Sequence, residues 1–391
     1  MRFKKLLILS PAFPDEMNNS IDGIFVKEQV GCIKDYFEEV HVIAPNTIWR
    51  KYLQKRYFEN YSWDNVHVYY PTVANLPQPY IPQQLKKLWI KKLTWDIQNL
   101  IKSELIAFDL IHAHYTWYPG ALAIELKKSY AVPVVITEHT HITLRKALEK
   151  RDPNFLDTWQ KSDAIICVNQ NDLSKFYYYN NKSFYIPNGF DEKKVKEFDK
   201  TKCREKLGLD REIKILFSLG TLSEVKGHSF LIEAMKEITR KRKDVLCLIA
   251  GSGPLKEKLQ RKIDDSQLDD QVKLKGFVTN EQVCLLMNAC DIFVLPSLSE
   301  SFGIVQVEAL ACGKPVVATR NGGSEEIIIS EEYGYLVETR NAMQLAEKII
   351  QALDKNWNEK VIREYASNFT WEKISKEIVS IYDDLKEGIH E

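Results

Sequence analysis

The sequence predicts an α/β protein made of two doubly wound, Rossmann-like domains. Short apolar runs rich in β-branched residues recur along the whole chain and alternate with segments of helical length. These runs are continuously apolar, which is typical of parallel strands covered on both faces. A Pro and Asn-Gly turn signal at 186–190 interrupts the series near mid-chain. We therefore place a domain boundary there.

The individual elements follow from these runs. Predicted strands cover 4–10, 39–45, 66–71, 109–114, 133–139, 163–169 and 183–187, then 213–220, 244–251, 271–276, 291–296 and 315–319. Strand–helix alternation implies right-handed crossovers. Among the intervening segments, a helix is expected to open with Pro254 and run to 264. Another runs from Ile304 to Cys312 and stops at Gly313. The last helix is amphipathic, with apolar residues at helical spacing at Trp371, Ile374, Ile378, Ile381, Tyr382 and Leu385.

Composition excludes several classes of protein. A chain of 391 residues predicts two or three domains. A hydrophobic content of 45% with 28% charged residues is that of a globular protein. Lys+Arg and Asp+Glu are both 54, so the balanced charge argues against nucleic acid as a partner. Seven scattered cysteines without a C-x-x-C pair, and an N-terminal apolar run too short for a signal peptide, lead us to expect a cytoplasmic protein.

One region departs from this neutrality. Between residues 50 and 102 the chain has nine basic and three acidic residues. Within it, the segment LKKLWIKKLTW at 85–95 combines Leu88, Trp89 and Trp95 with four lysines. We expect an amphipathic basic helix that contacts an anionic membrane or an anionic lipid-linked acceptor. The alternatives are a solvated surface, and packing of these three apolar side chains on the sheet of the first domain.

The most informative segment for chemistry is 291–323. A predicted strand ends at Pro296, and a loop then leads into a helix at Ile304. The N–H groups from Phe302 to Val305 would form an anion site at the helix N-terminus, and Gly303 would let a ligand approach closely. Glu300 and Glu308 can accept hydrogen bonds from hydroxyls, such as those of a sugar and a ribose. The alternative is a helix capped by Ser301, with acids that favour the dipole.

Several motifs carry a family resemblance. They are E-S-F-G-x-x-x-x-E at 300–308, GKPVVAT at 313–319, Gly322-Gly323, SLGTLSEVKGHSFLIEA at 218–234, IAGSGPLKEKL at 249–259, LKGFV at 274–278, IPNGFD at 186–191 and FTWEKI at 369–374. Together they resemble the signature of the retaining glycosyltransferases of family 4, strongly over 186–371 and more loosely over 1–185. The resemblance implies the two-domain GT-B fold, with domains facing a cleft. The first domain would comprise 1–188 and a returning helix at 372–391, and the second 189–371.

The resemblance also implies roles for residues of the second domain. Glu300 would contact the hydroxyls of the donor sugar, and Lys226 would neutralise the leaving diphosphate. Glu308 would bind the ribose hydroxyls. Thr221 stands where the family usually has Arg, which reduces the positive charge at the diphosphate. The remaining donor contacts would be Val278 against the nucleobase and the backbone N–H groups of Phe302, Gly303 and Ile304.

In the first domain we expect Gly23 to offer a backbone contact to the diphosphate, with a plain turn as the alternative. His139, after the strand at 133–139, fits the family position against the donor sugar, and Glu138 could orient it. His112 and His114 have metal-ligand spacing, but we favour a loop that lines the cleft. The sequence contains no Asp-x-Asp, so we expect neither a metal nor another cofactor. Lys226 and a helix N-terminus would supply the positive charge.

These expectations define a function. The protein would transfer a hexose-type sugar from a nucleoside diphosphate to a hydroxyl of a polysaccharide or lipid-linked acceptor, with retention and same-face attack. The form of the loop at Gly23 resembles a subgroup linked to teichuronic acid and capsular polysaccharide synthesis. Two alternatives remain open. One is a non-hydrolysing nucleotide-sugar 2-epimerase on the same fold, and the other is a non-catalytic subunit of a polysaccharide assembly complex.

Overall fold

The chain forms two compact units, each built on one main parallel sheet. A computed structural model describes residues 3–18, 22–48, 58–74 and 83–388. The first unit takes residues 1–188 and 371–391, and the second takes 189–370. Trp371, which the predicted boundary left in the second domain, lies in the first unit.

The sheet of the first unit has eight strands in the order β10-β9-β8-β7-β1-β2-β5-β4. Its neighbouring pairs are parallel except β4–β5. The strands are β1 Lys5–Leu9, β2 Glu39–Ile43, β3 Asn46–Thr47, β4 Tyr61–Trp63, β5 Val66–Tyr69, β6 Thr72–Val73, β7 Leu110–His114, β8 Val134–Glu138, β9 Ala164–Cys167 and β10 Ser183–Tyr185, with β3 and β6 paired separately. All seven runs predicted in this half are strands. The unpredicted β3, β4 and β6 are too short for a pattern.

Helices cover both faces of this sheet. They are α1 Ile24–Ile33, α2 Gln83–Ser103, α3 Ala121–Tyr130, α4 His141–Glu149, α5 Pro153–Lys161, α6 Gln170–Tyr177 and, from the end of the chain, α15 Trp371–Glu387. Successive side chains of β1 point to opposite faces. Leu7 and Leu9 join the apolar core that contains the buried residues of α2 and α3, whereas Leu6 and Ile8 join the core beneath α1 and α15. Burial on both faces explains the continuous apolar runs.

The final helix packs on the sheet of the first unit. All six residues of its predicted apolar stripe are buried, and Ile374, Ile378 and Tyr382 lie in the same core as α1. The indole N–H of Trp371 donates to Glu28 Oε2 at 3.2 Å. The apolar periodicity therefore identified the buried face of this helix correctly.

The second unit has a six-stranded, fully parallel sheet in the order β13-β12-β11-β14-β15-β16. Its strands are β11 Lys214–Leu219, β12 Val245–Ala250, β13 Val272–Gly276, β14 Ile292–Leu295, β15 Val316–Thr319 and β16 Gly334–Val337. Counted within the unit, this order is 3-2-1-4-5-6, that of dinucleotide-binding sheets. The sequence missed β16, a four-residue strand that begins with glycine.

Eight helices flank this sheet within the described residues. They are α7 Lys200–Leu207, α8 His228–Lys241, α9 Lys256–Asp265, α10 Asn280–Ala289, α11 Ile304–Ala311, α12 Ser324–Ile327, α13 Ala342–Asp354 and α14 Glu359–Ala366. Pro254, expected to open a helix, instead precedes α9 in a turn. No helix in the described parts of the chain is both long and apolar enough to cross a membrane.

The strand order locates the functional edge of each sheet. The direction of strand order reverses between β1 and β7 in the first unit, and between β11 and β14 in the second. Ligands of open α/β sheets bind outside the carboxyl ends of the strands at this switch point. The loops that follow these four strands therefore carry the candidate sites.

Candidate active site

In the second unit, an ion pair joins the loops that follow the two switch-point strands. Lys226 Nζ lies 2.6 Å from Glu300 Oε1. The same oxygen accepts a hydrogen bond from Ser297 Oγ at 2.7 Å, and the Glu300 N–H donates to the Asn321 carbonyl at 3.0 Å. The Glu300 side chain is 12% exposed and that of Lys226 is 28% exposed. The carboxylate is therefore held in one orientation while both charged groups stay accessible.

A close backbone approach places Lys226 there. The short helical turn Glu224–Lys226 ends at Gly227, whose φ is +64°. A Cβ at this position would lie 2.0 Å from the Pro296 carbonyl oxygen, so only glycine fits. The N–H of Leu298 then donates to the Val225 carbonyl at 2.7 Å. Glycine at 227 thus brings the loop after β11 against the loop after β14.

The N-terminus of α11 lies in the same loop system. Gly303 is its N-cap residue with φ +94°, and as a glycine it has no side chain with which to cap the helix. The first N–H groups of a helix lack intrahelical partners and favour anions. Ile304 and, one turn further, Glu308 are half-buried.

The other predicted donor residues differ in what they can offer. Phe302 is buried, with its ring 5.9 Å from that of Phe369, so only its backbone is available to a ligand. Thr221 is exposed in the turn after β11. Val278 is half-buried just beyond β13, and the ring of the preceding Phe277 is 60% exposed. Phe277, which the sequence analysis did not single out, is the larger apolar surface at this strand end.

His228 is a further candidate that the sequence reasoning missed. It begins α8 directly after Lys226 and Gly227 and is 2% exposed. Burial, together with the nearby Lys226 charge, lowers the pKa of His228 to about 4. The ring is therefore neutral at physiological pH. Its position directly after the predicted lysine was the available signal.

Gly23 lies at the corresponding edge of the first unit. It follows the loop after β1 and is the N-cap residue of α1, with φ +77°. A Cβ there would lie 2.3 Å from the Ala12 carbonyl oxygen. The loop's own packing therefore requires glycine, whether or not its backbone meets a ligand.

His139 follows β8 and is buried beside His114. Its Nε2 lies 2.9 Å from His114 Nδ1, and the two rings stack with centroids 5.2 Å apart. Phe25 and Tyr115 pack against the His139 ring at 4.8 and 5.0 Å. Buried aromatic contacts on several sides fix the orientation of this imidazole.

Two predictions about this region are wrong. His112 and His114 do not lie in a loop: both are fully buried in β7. His112 hydrogen-bonds the Tyr382 hydroxyl at 2.6 Å and Thr137 Oγ1 at 2.7 Å.

Glu138 does not orient His139 through a hydrogen bond. Its carboxylate accepts from the Thr116 N–H at 3.0 Å and from the Thr140 N–H at 2.9 Å. His139 hydrogen-bonds His114 instead.

Burial sets the protonation of this histidine cluster. It lowers the pKa of both His112 and His139 to about 3, and that of His114 well below its ordinary value. A neutral imidazole can donate one hydrogen bond and accept another. Across the described residues, no group of His, Cys, Asp or Glu side chains is arranged to hold a metal ion.

Comparison with known proteins identifies the class of protein. Residues 199–369 match the family model described as Glycosyl transferases group 1, and residues 38–194 match Glycosyltransferase Family 4. An uncharacterised glycosyltransferase of Methanocaldococcus jannaschii is 31% identical over 299 residues, which cover 74% of this chain and 79% of that protein.

Two solved structures share the fold. Sucrose-phosphate synthase from Thermosynechococcus elongatus superposes with a TM-score of 0.80 at 22% identity, over 98% of this chain and 100% of that one. HepE from Anabaena, in complex with UDP-glucose, gives 0.69 at 22% identity over 99% of both chains. The protein is a glycosyltransferase with the GT-B fold. It belongs to family 4 of these enzymes.

Because these histidines are buried and neutral, we expect acid to destabilise the first unit. The pKa of His112 and of His139 is about 3 in the folded protein and about 6.5 in the unfolded chain. Between pH 3 and pH 6.5 the unfolded chain therefore binds more protons than the folded protein. The free energy of unfolding should therefore fall as pH drops below about 6.5, by up to about 1.4 kcal/mol per pH unit for each histidine. Urea titrations at several pH values, followed by tryptophan fluorescence, measure this slope. Seven of the eight tryptophans lie in the first unit.

The variant His112→Gln removes one of these groups, and its slope should be shallower whatever its absolute stability. An unchanged slope in this variant would contradict the assignment.

Proposed function

We propose that this enzyme moves a sugar from a nucleoside diphosphate sugar to a hydroxyl acceptor and retains the anomeric configuration. The observation that carries the proposal is the Lys226–Glu300 ion pair, which lies at the switch point of a Rossmann-type sheet in the same loops as the N-terminus of α11. Cationic groups and helix N–H groups suit a diphosphate, and a fixed carboxylate suits sugar hydroxyls. This combination matches both halves of the proposed donor.

The ion pair prepares the site before the donor binds. A carboxylate that is 12% exposed would be costly without a partner, and Lys226 compensates it. When the diphosphate arrives, Lys226 and the first N–H groups of α11 balance its charge. Glu300 remains bonded to Ser297 and can accept a hydrogen bond from a sugar hydroxyl.

The chemical step follows from this arrangement. The bond between the anomeric carbon and the diphosphate oxygen breaks, and positive groups stabilise the charge that develops on the leaving group. The acceptor hydroxyl attacks the same face of the sugar, which retains configuration, and its proton leaves with the diphosphate. Because Thr221 stands where an arginine is usual, the positive side chain in this role is Lys226, and we expect weaker retention of the diphosphate.

Other residues of the second unit complete the proposed donor site there. Glu308 would accept hydrogen bonds from the ribose, and Val278 with Phe277 would contact the nucleobase. In the first unit, the neutral His139 ring has the chemistry to hydrogen-bond a sugar hydroxyl, and the Gly23 backbone that to bond a phosphate. The acceptor we propose belongs to polysaccharide or glycolipid synthesis, as in the capsular and teichuronic acid subgroup.

A panel of UDP- and GDP-sugars tests the function. We expect slow hydrolysis of one donor without an acceptor, because water can replace the acceptor hydroxyl, and release of the nucleoside diphosphate measures it. Conversion of the donor to its 2-epimer would instead indicate an epimerase. Binding of a nucleotide sugar with no product would indicate a non-catalytic subunit.

Glu300→Gln tests the site. Loss of a charge-assisted hydrogen bond costs about 1.5–3 kcal/mol, so kcat/KM should fall roughly tenfold or more. Lys226→Ala should weaken both nucleotide binding and turnover. The exposed Glu281 on α10 gives a matched control, Glu281→Gln, which should keep full activity. Equal kinetics in Glu300→Gln and Glu281→Gln would place the active site elsewhere.

Chelation tests the electrostatics. Because Lys226 and the α11 N-terminus are proposed to carry the charge of the leaving group, turnover should persist in excess EDTA. Product formation is measured with and without the chelator. Complete loss of activity that Mn²⁺ restores would overturn the metal-independent account.

A further inference from the structure

The outer face of α2 exposes apolar side chains that the core does not use. Ile90, Leu93, Ile97 and Ile101 are buried in the first unit. On the opposite face, Leu88 is 63% exposed and Trp95 is 59% exposed. Leu88, Lys91, Lys92 and Trp95 are three or four residues apart, so they form one stripe along the helix. We call these four residues the α2 stripe.

The structure separates this stripe from half-buried residues of the same segment that have partners within the first unit. The Trp89 indole N–H donates to the Ala74 carbonyl at 2.8 Å, and its ring packs 5.4 Å from that of Tyr118. Lys86 pairs with Asp152 at 2.9 Å, with 17% of its side chain exposed. The alternative of packing on the first domain therefore holds for Trp89, but not for Leu88 or Trp95. Four further basic residues, Arg50, Lys51, Lys55 and Arg56, lie outside the described residues.

The charge beside the stripe is positive and largely uncompensated. α2 carries five lysines and a single acid, Asp96. Asp96 pairs with Lys92, whose Nζ also lies 4.7 Å from the centroid of the Trp95 ring. Lys87 and Lys91 are exposed, and neither forms an ion pair with any residue in the described ranges. Their charge is available to an anionic partner.

A cavity of about 280 Å³ opens beside these lysines, where α2, α3 and α5 meet. Its volume is roughly twenty times the 10–15 Å³ needed to hold one water molecule, enough for a phosphate-bearing headgroup. Lys128 pairs with Glu125 at 2.5 Å, and Lys161 with Asp157 at 3.0 Å. The net positive charge of the lining therefore comes from Lys87 and Lys91. The charged lining residues are Lys87, Lys91, Glu125, Lys128, Asp157 and Lys161.

We propose that this face binds the surface of an anionic phospholipid bilayer. Leu88 and Trp95 enter the boundary between headgroups and acyl chains, where an indole is favoured. Lys87 and Lys91 meet lipid phosphates, and the cavity receives one headgroup. Isolated apolar side chains between lysines suit a soft, charged interface better than a protein partner, which needs about 800 Å² of shaped contact. Binding through a few inserted apolar side chains and a few lysine–phosphate contacts is reversible.

Vesicle co-sedimentation of the full chain, without donor or acceptor, tests this independently of the catalytic site. The vesicles contain phosphatidylcholine alone or a mixture with phosphatidylglycerol. The protein should sediment with the anionic vesicles at low ionic strength and remain in solution with the neutral ones. Added salt should release it, because screening shortens the reach of the lysine charges. A protein that stays in the supernatant with anionic vesicles at low salt overturns the proposal.

Matched variants test the residues. Each lysine near an anionic surface is worth about fivefold in binding, so Lys87→Gln with Lys91→Gln should lower the partition coefficient roughly 25-fold. The control changes Lys241 and Lys243, two exposed lysines of the second unit with no ion pair among described residues. It removes the same charge and should leave binding within about twofold of wild type. Equal losses in both pairs would mean that net charge, rather than this face, directs binding.

A second pair tests the apolar contribution. Leu88→Gln with Trp95→Gln should remove binding that persists at moderate salt. Its control, Leu105→Gln with Tyr178→Gln, alters residues of the same unit that are 87% and 82% exposed, and it should bind as wild type does. At constant ionic strength, with sodium chloride replaced by sodium glycerol phosphate, the soluble phosphate should not release the protein. Complete release by this anion would assign the lysines to a small ligand and overturn the bilayer proposal.

Discussion

Parallel strands buried on both faces constrain where this protein can place polar chemistry. A strand such as β1 sends alternate side chains into two apolar cores, so chemistry is confined to strand ends and loops. In the second unit, the ends of β11 and β14 meet where the strand order reverses. Gly227 then determines how closely the two loops approach, because without a Cβ its backbone can contact the Pro296 carbonyl. That contact places the Lys226 ammonium beside the Glu300 carboxylate.

In the first unit, the polar groups at the strand ends are buried neutral histidines rather than an ion pair. Its switch-point strand β7 ends in histidines that are entirely buried, and His114 hydrogen-bonds His139 at the end of β8. The C-terminal helix contributes Tyr382 to His112, which ties the end of the chain to the centre of the sheet. Burial keeps these rings neutral, so they can serve as hydrogen-bonding groups but not as cations.

Much of the fold could be predicted because its signal is local. Apolar runs located every strand longer than three residues except β16, and helical spacing identified the buried face of α15. The misses have physical causes. β4 is short and antiparallel, and Glu138 satisfies its carboxylate with Thr116 and Thr140 rather than with the adjacent His139. Ser297 became visible as a site residue only once the loops around Lys226 and Glu300 were in place, whereas the position of His228 beside Lys226 and Gly227 was a signal in the sequence.

By itself the sequence determined the fold class and the glycosyltransferase family, because the apolar periodicities and the motif spacings are written in neighbouring residues. Only the tertiary structure decided which residues are partners. Lys226 and Glu300 are 74 residues apart, and His112 and Tyr382 are 270 apart. On α2, it also divided one apolar stretch into a half-buried Trp89 and an exposed Trp95. The physical reason is that burial and pairing depend on distances between distant segments, which no local pattern encodes.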